Sequence, residues 1–143
     1  MAEKKTVFLT GASGHMGWAG FKELYKKKDK LNIVLLLRDS EKNRKKFANY
    51  LNDPSVKIVW GDLKKYDDVL KCVEGSDYVL HVGGMVSPSA DYYPTKTIQT
   101  NTTAAKNIVD AVKAQPNKDD IKVVYIGTVA QTGDRNAPIH WAR

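Results

Sequence analysis

The sequence contains almost no cysteine and no long hydrophobic run. Cys72 is the only cysteine among 143 residues, which excludes an internal disulfide and favours a reducing compartment. We interpret it as a packing residue of a helix. The apolar runs all stay well below the ~18 residues of a membrane span, and "MAEKKTVFLTG" holds too short a run for a signal peptide. We therefore expect a cytoplasmic protein without membrane contact.

The sequence also lacks the residue clusters of metal sites and of common hydrolases. His15, His81 and His140 are scattered, and no group of His, Cys and carboxylate residues has ligand spacing, so we predict no metal. Neither a Gly-x-Ser-x-Gly elbow nor a P-loop lysine occurs. His81 ends an apolar run, which is more typical of a buried, hydrogen-bonded structural histidine than of a catalyst.

Acidic residues are fewer than basic ones, 16 against 23, which gives a net charge of +7. Such an excess can indicate a nucleic-acid partner. The lysines of "YKKKDK" and "SEKNRKKFANY", however, lie at the end of one predicted helix and along another, mixed with acids. Lysine near a helix C-terminus also complements the helix dipole. We therefore expect a solvated surface and no nucleic-acid partner.

Short apolar runs rich in Val, Ile and Leu alternate with helical patterns along the whole chain. The runs are continuously apolar, as expected for strands covered on both faces. The predicted strands are Lys5–Gly11, Asn32–Arg38, Val56–Asp62, Asp77–Gly83 and Ile121–Gly127. The clearest helix is Thr102–Ala114, with Ile108, Val109 and Val112 on its inward face. This repetition predicts one doubly wound α/β domain with a parallel sheet.

A glycine-rich segment, "TVFLTGASGHMGWAG", joins the first strand to the first helix. Gly11 permits a tight turn, Gly14 lets backbone N–H groups approach a pyrophosphate, and Gly17 lets the helix pack close to the strand. The helix N-terminus adds unpaired N–H groups and a positive dipole end. In this position the motif indicates dinucleotide binding. The segment's predicted cofactor contacts are Gly11, Ser13, Gly14, His15, Met16 and Gly17.

Four segments, in order, resemble the extended short-chain dehydrogenases, the NAD-dependent epimerase/dehydratase superfamily. They are the T-G-x-x-G-x-x-G loop from Thr10, "GDL" from Gly61, "HVGGMVS" from His81 and "TNTTAAKNIVDA" from Thr100. The resemblance covers essentially the whole chain. It implies a Rossmann-type cofactor-binding domain over residues 1–143, with a five-stranded sheet in the order 3-2-1-4-5.

The resemblance also implies roles for individual residues in the later segments. Asp62 and Leu63 would contact the adenine, although Asp62 could instead cap a turn. Asn101 would steady the active-site strands, although it could equally be a helix N-cap. The residues implied beside the nicotinamide half are Val82, Gly83 and Gly84. The last two replace the family's usual alanines.

The end of the second strand, "LLLRDSEKNRKK", bears on the choice of cofactor. A carboxylate here would bind the ribose diol of NAD, whereas an arginine would clamp the 2′-phosphate of NADP. The pattern resembles that of the NADP-using reductases of the superfamily, with Arg38 as the clamp and help from Lys42 or Lys45. A one-residue shift would put Asp39 on the ribose. We favour NADP over NAD.

The family's catalytic residues are only partly present. Alignment on Gly133 puts Thr128 at the catalytic Ser/Thr position, and the family's Tyr-x-x-x-Lys pair follows that strand. Nothing follows Arg143, so we expect a C-terminally truncated chain that lacks this pair and the substrate domain. The one Tyr-x-x-x-Lys, Tyr92–Lys96, precedes Thr128 and contains a proline suited to a helix start, so we do not take it as catalytic.

We therefore predict a chain that binds the dinucleotide but does not turn over a substrate, whose identity the sequence leaves open. The alternatives are a non-catalytic sensing or regulatory module and an interaction protein that has lost the cofactor. The glycine loop argues against the last, and Thr128 favours the enzyme over the sensor. Strands four and five would lack cover on one face, which favours association. We expect a homo-oligomer that forms through this face and the Thr102–Ala114 helix.

Overall fold

The computed structural model describes residues 4–84 and 92–127. The strands in this part of the chain are β1 (Lys5–Leu9), β2 (Leu31–Leu37), β3 (Val56–Trp60), β4 (Tyr78–His81) and β5 (Lys122–Tyr125). The α-helices are α1 (His15–Tyr25), α2 (Glu41–Lys46), α3 (Tyr66–Val73) and α4 (Pro94–Lys113). Short 3-10 turns occupy Ala48–Tyr50 and Lys118–Asp120.

The strands form one parallel sheet in the order β3-β2-β1-β4-β5. This confirms the predicted Rossmann-type α/β fold and strand order. In the register of the sheet, Val7 of β1 lies between Ile33 of β2 and Tyr78 of β4. The carboxyl ends of the strands therefore meet at one edge, where the crevice of such sheets binds ligands.

Apolar side chains cover the central strands on both faces of the sheet. Val34 and Leu36 of β2 pack into one cluster with helices α3 and α4, and Ile33 and Leu35 pack into the opposite cluster with α1. All four are buried, which explains why the run is continuously apolar. Cys72 of α3 is fully buried in the first cluster, as predicted, and burial raises the pKa of its thiol to about 12.

Strand β5 is exposed, unlike the central strands. Val123, Val124 and Tyr125 are 44%, 46% and 65% exposed, whereas Val79 and His81 of β4 are buried. The expected bare surface therefore occurs on β5 but not on these β4 residues. An edge strand with exposed apolar side chains favours association with another chain.

Helix α4 begins at Pro94, eight positions before the predicted start. Its first two turns, "PTKTIQTN", carry few apolar residues, so their sequence shows no helical periodicity. Proline is well suited to the first helical position, where its missing N–H has no partner to lose. The predicted inward face is partly wrong: Ile108 is buried, but Val109 is 46% exposed and Asn107 is buried instead.

Candidate functional site

The glycine turn after β1 is shaped by close backbone contacts. Gly11 has a φ of +74°, and a Cβ there would lie 2.7 Å from the Cα of Gly83. A Cβ on Gly17 would lie 1.8 Å from the carbonyl oxygen of Gly11. Both positions therefore require glycine, for the turn and for close packing of α1 as predicted.

Gly14 differs from its two neighbours in the motif. Its φ of −83° suits any residue, and a Cβ would make only an ordinary contact, 3.4 Å from the Gly11 oxygen. Packing within the chain therefore does not require glycine here. Gly14 is also the N-cap of α1, which has no side-chain cap and no acidic residue in its first turn. The first-turn N–H groups and the helix dipole are thus available to an anion.

Thr10 joins the glycine turn to the end of β4. Its buried Oγ1 accepts hydrogen bonds from the N–H groups of Val82, at 2.9 Å, and Gly83, at 2.8 Å. It lies 2.8 Å from Nδ1 of His81. Since both lone pairs of the hydroxyl are used, its proton is donated to His81, whose own proton is then on Nε2. Burial lowers the pKa of His81, which is consistent with a neutral, structural histidine.

The residues after β3 reach the same junction. The side chain of Leu63 lies 3.2 Å from where a Cβ of Gly83 would be, so a larger residue at position 83 would be crowded. Asp62 accepts a hydrogen bond from the N–H of Lys64 at 2.8 Å, and its own N–H donates to Asp68 at 3.0 Å. The turn-capping alternative for Asp62 is therefore present, and its adenine contact stays a prediction.

Asn101 and Gly84 are also brought together. A Cβ on Gly84 would lie 3.2 Å from Oδ1 of Asn101. Asn101 lies inside α4, which begins seven residues earlier, so the N-cap alternative is wrong. Its predicted role in steadying the active-site strands stays a prediction.

Two adjoining cavities lie beyond the ends of β2 and β3. The first, of about 440 Å³, is lined by Arg38, Asp39, Trp60, Gly61, Asp62, Lys65 and Asp68. The second, of about 340 Å³, is lined by Ser13, Arg38, Asp39, Ser40, Lys42 and Asn43. Both include Arg38 and Asp39, so the two residues that bear on cofactor choice lie where the cavities meet. Ser13 connects the second cavity to the glycine loop.

The two lysines expected to help Arg38, Lys42 and Lys45, differ in their surroundings. Lys42 lines the second cavity, whereas Lys45 lines neither and pairs with Glu41 at 2.8 Å. Within residues 4–84 and 92–127, neither Arg38 nor Lys42 forms an ion pair. Asp39, by contrast, is paired with Arg44. In the described part of the chain, Arg38 and Lys42 thus differ from Asp39 in having no oppositely charged partner.

The candidate catalytic residues do not form a site in the described part of the chain. Thr128 lies outside the described residues. Tyr92 precedes Tyr93, the N-cap of α4, whereas Lys96 lies in the first turn, with its Nζ 6.0 Å from the ring of Tyr93. Tyr92 and Lys96 are therefore not an i, i+4 pair on one helix. This supports leaving them out of the catalytic set.

Three contributors to the site carried no predicted role. Thr10 is the first, and its position directly before the first glycine could have indicated its contact with the loop. Nδ2 of Asn107 donates to the carbonyl oxygen of Leu63 at 2.8 Å and so holds the β3 loop on α4. Lys46 donates to the carbonyl oxygen of Ser13 at 3.0 Å, which puts a positive charge beside the glycine loop. The contacts of Asn107 and Lys46 join residues that are far apart in sequence, so no local sequence pattern predicts these partners.

The described residues contain no group of three or more His, Cys, Asp or Glu side chains that could hold a metal ion. None of the helices described is long and apolar enough to cross a bilayer. A dinucleotide, by contrast, fits the residues that are present. The uncapped start of α1 suits a pyrophosphate, the open side of Gly14 allows it to approach, and Arg38 lies at the adjoining cavities.

Comparison with known sequences agrees with this geometry. The sequence model of the NAD dependent epimerase/dehydratase family matches residues 7–141. Over 128 residues the chain is 33% identical to a UDP-glucose 4-epimerase from Rickettsia bellii and 30% identical to one from Rickettsia felis. Each alignment covers 87% of this chain but 36% of the relative, so the chain spans about a third of these relatives' length.

Solved structures show the same fold. WbmH from Bordetella bronchiseptica, determined in complex with NAD+, matches 99% of this chain and 46% of its own, with a TM-score of 0.73 and 20% identity. Pen from Bacillus thuringiensis matches 86% of this chain and 37% of its own, with a TM-score of 0.73 and 23% identity. The family match extends over nearly all of the chain, which therefore belongs to the NAD-dependent epimerase/dehydratase family.

Proposed function

We propose that this chain is the dinucleotide-binding domain of an epimerase/dehydratase-family oxidoreductase and that it binds NADP more tightly than NAD. The observation that carries the proposal is the uncapped N-terminus of α1 beside Gly14, a position where the fold itself does not need glycine. Backbone N–H groups and the dipole at such a helix end favour a pyrophosphate. The dinucleotide supplies hydride chemistry when bound, and the chain's residues hold and orient it.

The preference for NADP is supported by the charges around Arg38. Arg38 lines both cavities, Lys42 lines one, and neither is neutralised by an ion pair in the described part of the chain. An arginine can make two parallel hydrogen bonds to a phosphate. WbmH, which shares the fold, was determined in complex with NAD+. In folds of this kind the residues after the second strand distinguish NAD from NADP.

The test is calorimetric titration of the Arg38→Ala variant with NADP and with NAD. Loss of one charge-assisted contact is expected to weaken NADP binding about tenfold or more and to change NAD binding little. Lys26→Ala is a matched control, since it removes one cation from a solvated pair with Glu23 at the far end of α1. If Arg38→Ala weakened the binding of NADP and of NAD equally, the role of Arg38 at the 2′-phosphate would be contradicted.

We further propose that the 143-residue chain binds the cofactor without turning over a substrate. The one Tyr-x-x-x-Lys of the sequence, Tyr92 and Lys96, does not lie on a single helix, because α4 begins at Pro94, between the two residues. A non-catalytic sensing module is the alternative, and Thr128, at the position of the family's catalytic hydroxyl, favours the enzyme. A reading frame that continues past Arg143 into a Tyr-x-x-x-Lys would decide for the enzyme.

Self-association and a cytoplasmic location complete the proposal. Val123, Val124 and Tyr125 of β5 and Val109 of α4 are apolar and exposed, as on surfaces that bind another protein. We propose that these elements join copies of the chain, which sedimentation over a range of concentrations would test.

The single cysteine favours a reducing compartment such as the cytoplasm.

A further inference from the structure

An ion pair at the junction of the two cavities is not explained by the cofactor site described so far. Arg44 holds both carboxylate oxygens of Asp39, with 2.5 Å from Nε to Oδ1 and 2.9 Å from Nη2 to Oδ2. This is the two-pronged geometry in which arginine binds a carboxylate most strongly. The Arg44 side chain is 51% exposed and that of Asp39 is 57% exposed, so the pair faces solvent, and Asp39 is its member that lines the two cavities.

Several contacts set the position of Arg44 relative to Asp39. The guanidinium of Arg44 stacks on the ring of Trp60, with its carbon 4.5 Å from the ring centroid. Helix α2 is held at its start, where Ser40 caps the N–H of Asn43 at 3.1 Å. Nδ2 of Asn43 in turn donates to the carbonyl oxygen of Arg38 at 2.8 Å. Helix α2 and the end of β3 therefore together present Arg44 to Asp39.

The pair changes what Asp39 can do. Each oxygen of Asp39 accepts one N–H from Arg44, which fixes the orientation of the carboxylate and offsets its charge, so that Asp39 is a weaker acceptor for a ribose diol than a free carboxylate would be. The hydrogen bond from Arg44 lowers the pKa of Asp39. A paired carboxylate repels a phosphate less than a free one does. Arg38 and Lys42, which have no such partner in the described residues, keep their charge for an anion.

We infer that Arg44 is a specificity-determining positioning residue, which favours NADP over NAD by orienting the Asp39 carboxylate and offsetting its charge. The inference rests on the dinucleotide site proposed above. Without Arg44, the Asp39 carboxylate would turn freely and keep its full charge, so that it would accept hydrogen bonds from a ribose diol more strongly and repel a 2′-phosphate more. Arg44 therefore acts through Asp39 and needs no contact of its own with the cofactor.

The test is calorimetric titration of the full chain with NADP and NAD, for the unmodified protein and for Arg44→Met, Asp39→Asn and the double variant. Arg44→Met is expected to lower the ratio of NADP to NAD affinity about three- to tenfold, partly through tighter NAD binding. In the Asp39→Asn background the same change is expected to leave the ratio unaltered, because its target has gone. Lys26→Met, which breaks a comparable solvated pair, should leave the ratio unchanged.

Each other outcome overturns the inference in a distinguishable way. An unchanged ratio in Arg44→Met shows that the pair does not set the preference. A loss of NADP affinity that persists in the Asp39→Asn background shows that Arg44 contacts the phosphate directly. Failure of the unmodified chain to bind either cofactor removes the proposed function and the inference with it. Arg44→Gln repeats the test if urea unfolding shows that Arg44→Met is not folded.

Discussion

At the scale of single residues, Thr10 connects the glycine loop to the end of β4. Its one hydroxyl serves three partners: the N–H groups of Val82 and Gly83, and His81. The carboxyl ends of β1 and β4 are thereby held together where the crevice opens. A polar residue fully buried at this point has its hydrogen-bonding capacity completely used, which makes it costly to replace.

Replacing Thr10 by Val should destabilise the protein by about 1–3 kcal/mol, because buried N–H groups lose their acceptor. Thr10→Ser keeps the hydroxyl and should retain most of the stability. Urea unfolding of the three proteins, followed by circular dichroism, measures both changes. A Thr10→Val variant as stable as Thr10→Ser would show that these hydrogen bonds contribute little.

His81 gives stability a dependence on pH that can be predicted in sign. Burial lowers the pKa of His81 in the folded state, whereas the unfolded chain takes up the proton near pH 6.5. Below about pH 6.5 the unfolded state therefore binds more protons, and stability falls until the lowered folded pKa is reached. Urea midpoints at pH 7.5, 6.5 and 5.5 should decline more steeply for the unmodified protein than for His81→Gln. Equal slopes would contradict a buried neutral His81.

At the scale of elements, the junction of β1 and α1 combines glycines with different tasks. Gly17 is needed by the fold, since a Cβ would collide with the backbone of Gly11. Gly14 has no such need, and nothing lies within 4 Å of a Cβ at Gly20. The fold therefore requires glycine at Gly17 but not at Gly14, the N-cap of α1, or at Gly20 inside the helix.

Gly14→Ala should weaken cofactor binding about tenfold or more, because its methyl group meets the ligand, and should lower stability by no more than about 1 kcal/mol through the N-cap preference for glycine. Gly20→Ala is the matched control. It should raise stability by about 0.5–1 kcal/mol through helix propensity and leave binding unchanged. Calorimetry and urea unfolding give the two readouts. Gly14→Ala with full affinity would place the pyrophosphate elsewhere.

Element-scale features differ in how far the sequence predicts them. The continuous apolar run of β2 predicted a strand covered on both faces, because burial on two sides leaves a direct trace in composition. The start of α4 could not be read, since eight polar-rich residues there have no inward apolar stripe. The Asp39–Arg44 pair could not be predicted from the sequence either. The two residues are five positions apart, and they meet only because α2 starts after its N-cap Ser40, between them.

At the scale of the whole molecule, the sheet brings segments that are far apart in sequence to one edge. The glycine loop, Arg38, the turn after β3 and Gly83 meet there because all the described strands run parallel. The motifs predicted these contributors one by one, and their order along the chain predicted the fold. The partners of each side chain depended on packing between elements, which a single sequence does not show.

The measurement that tests the central claim most directly is calorimetric titration of the unmodified chain with NADP and with NAD at the same salt concentration. The account predicts saturable binding of both cofactors at one site, with NADP the tighter. Absence of binding by either would contradict the claim that the glycine loop and the start of α1 form a dinucleotide site. Tighter binding of NAD would contradict the assignment of Arg38 to the 2′-phosphate.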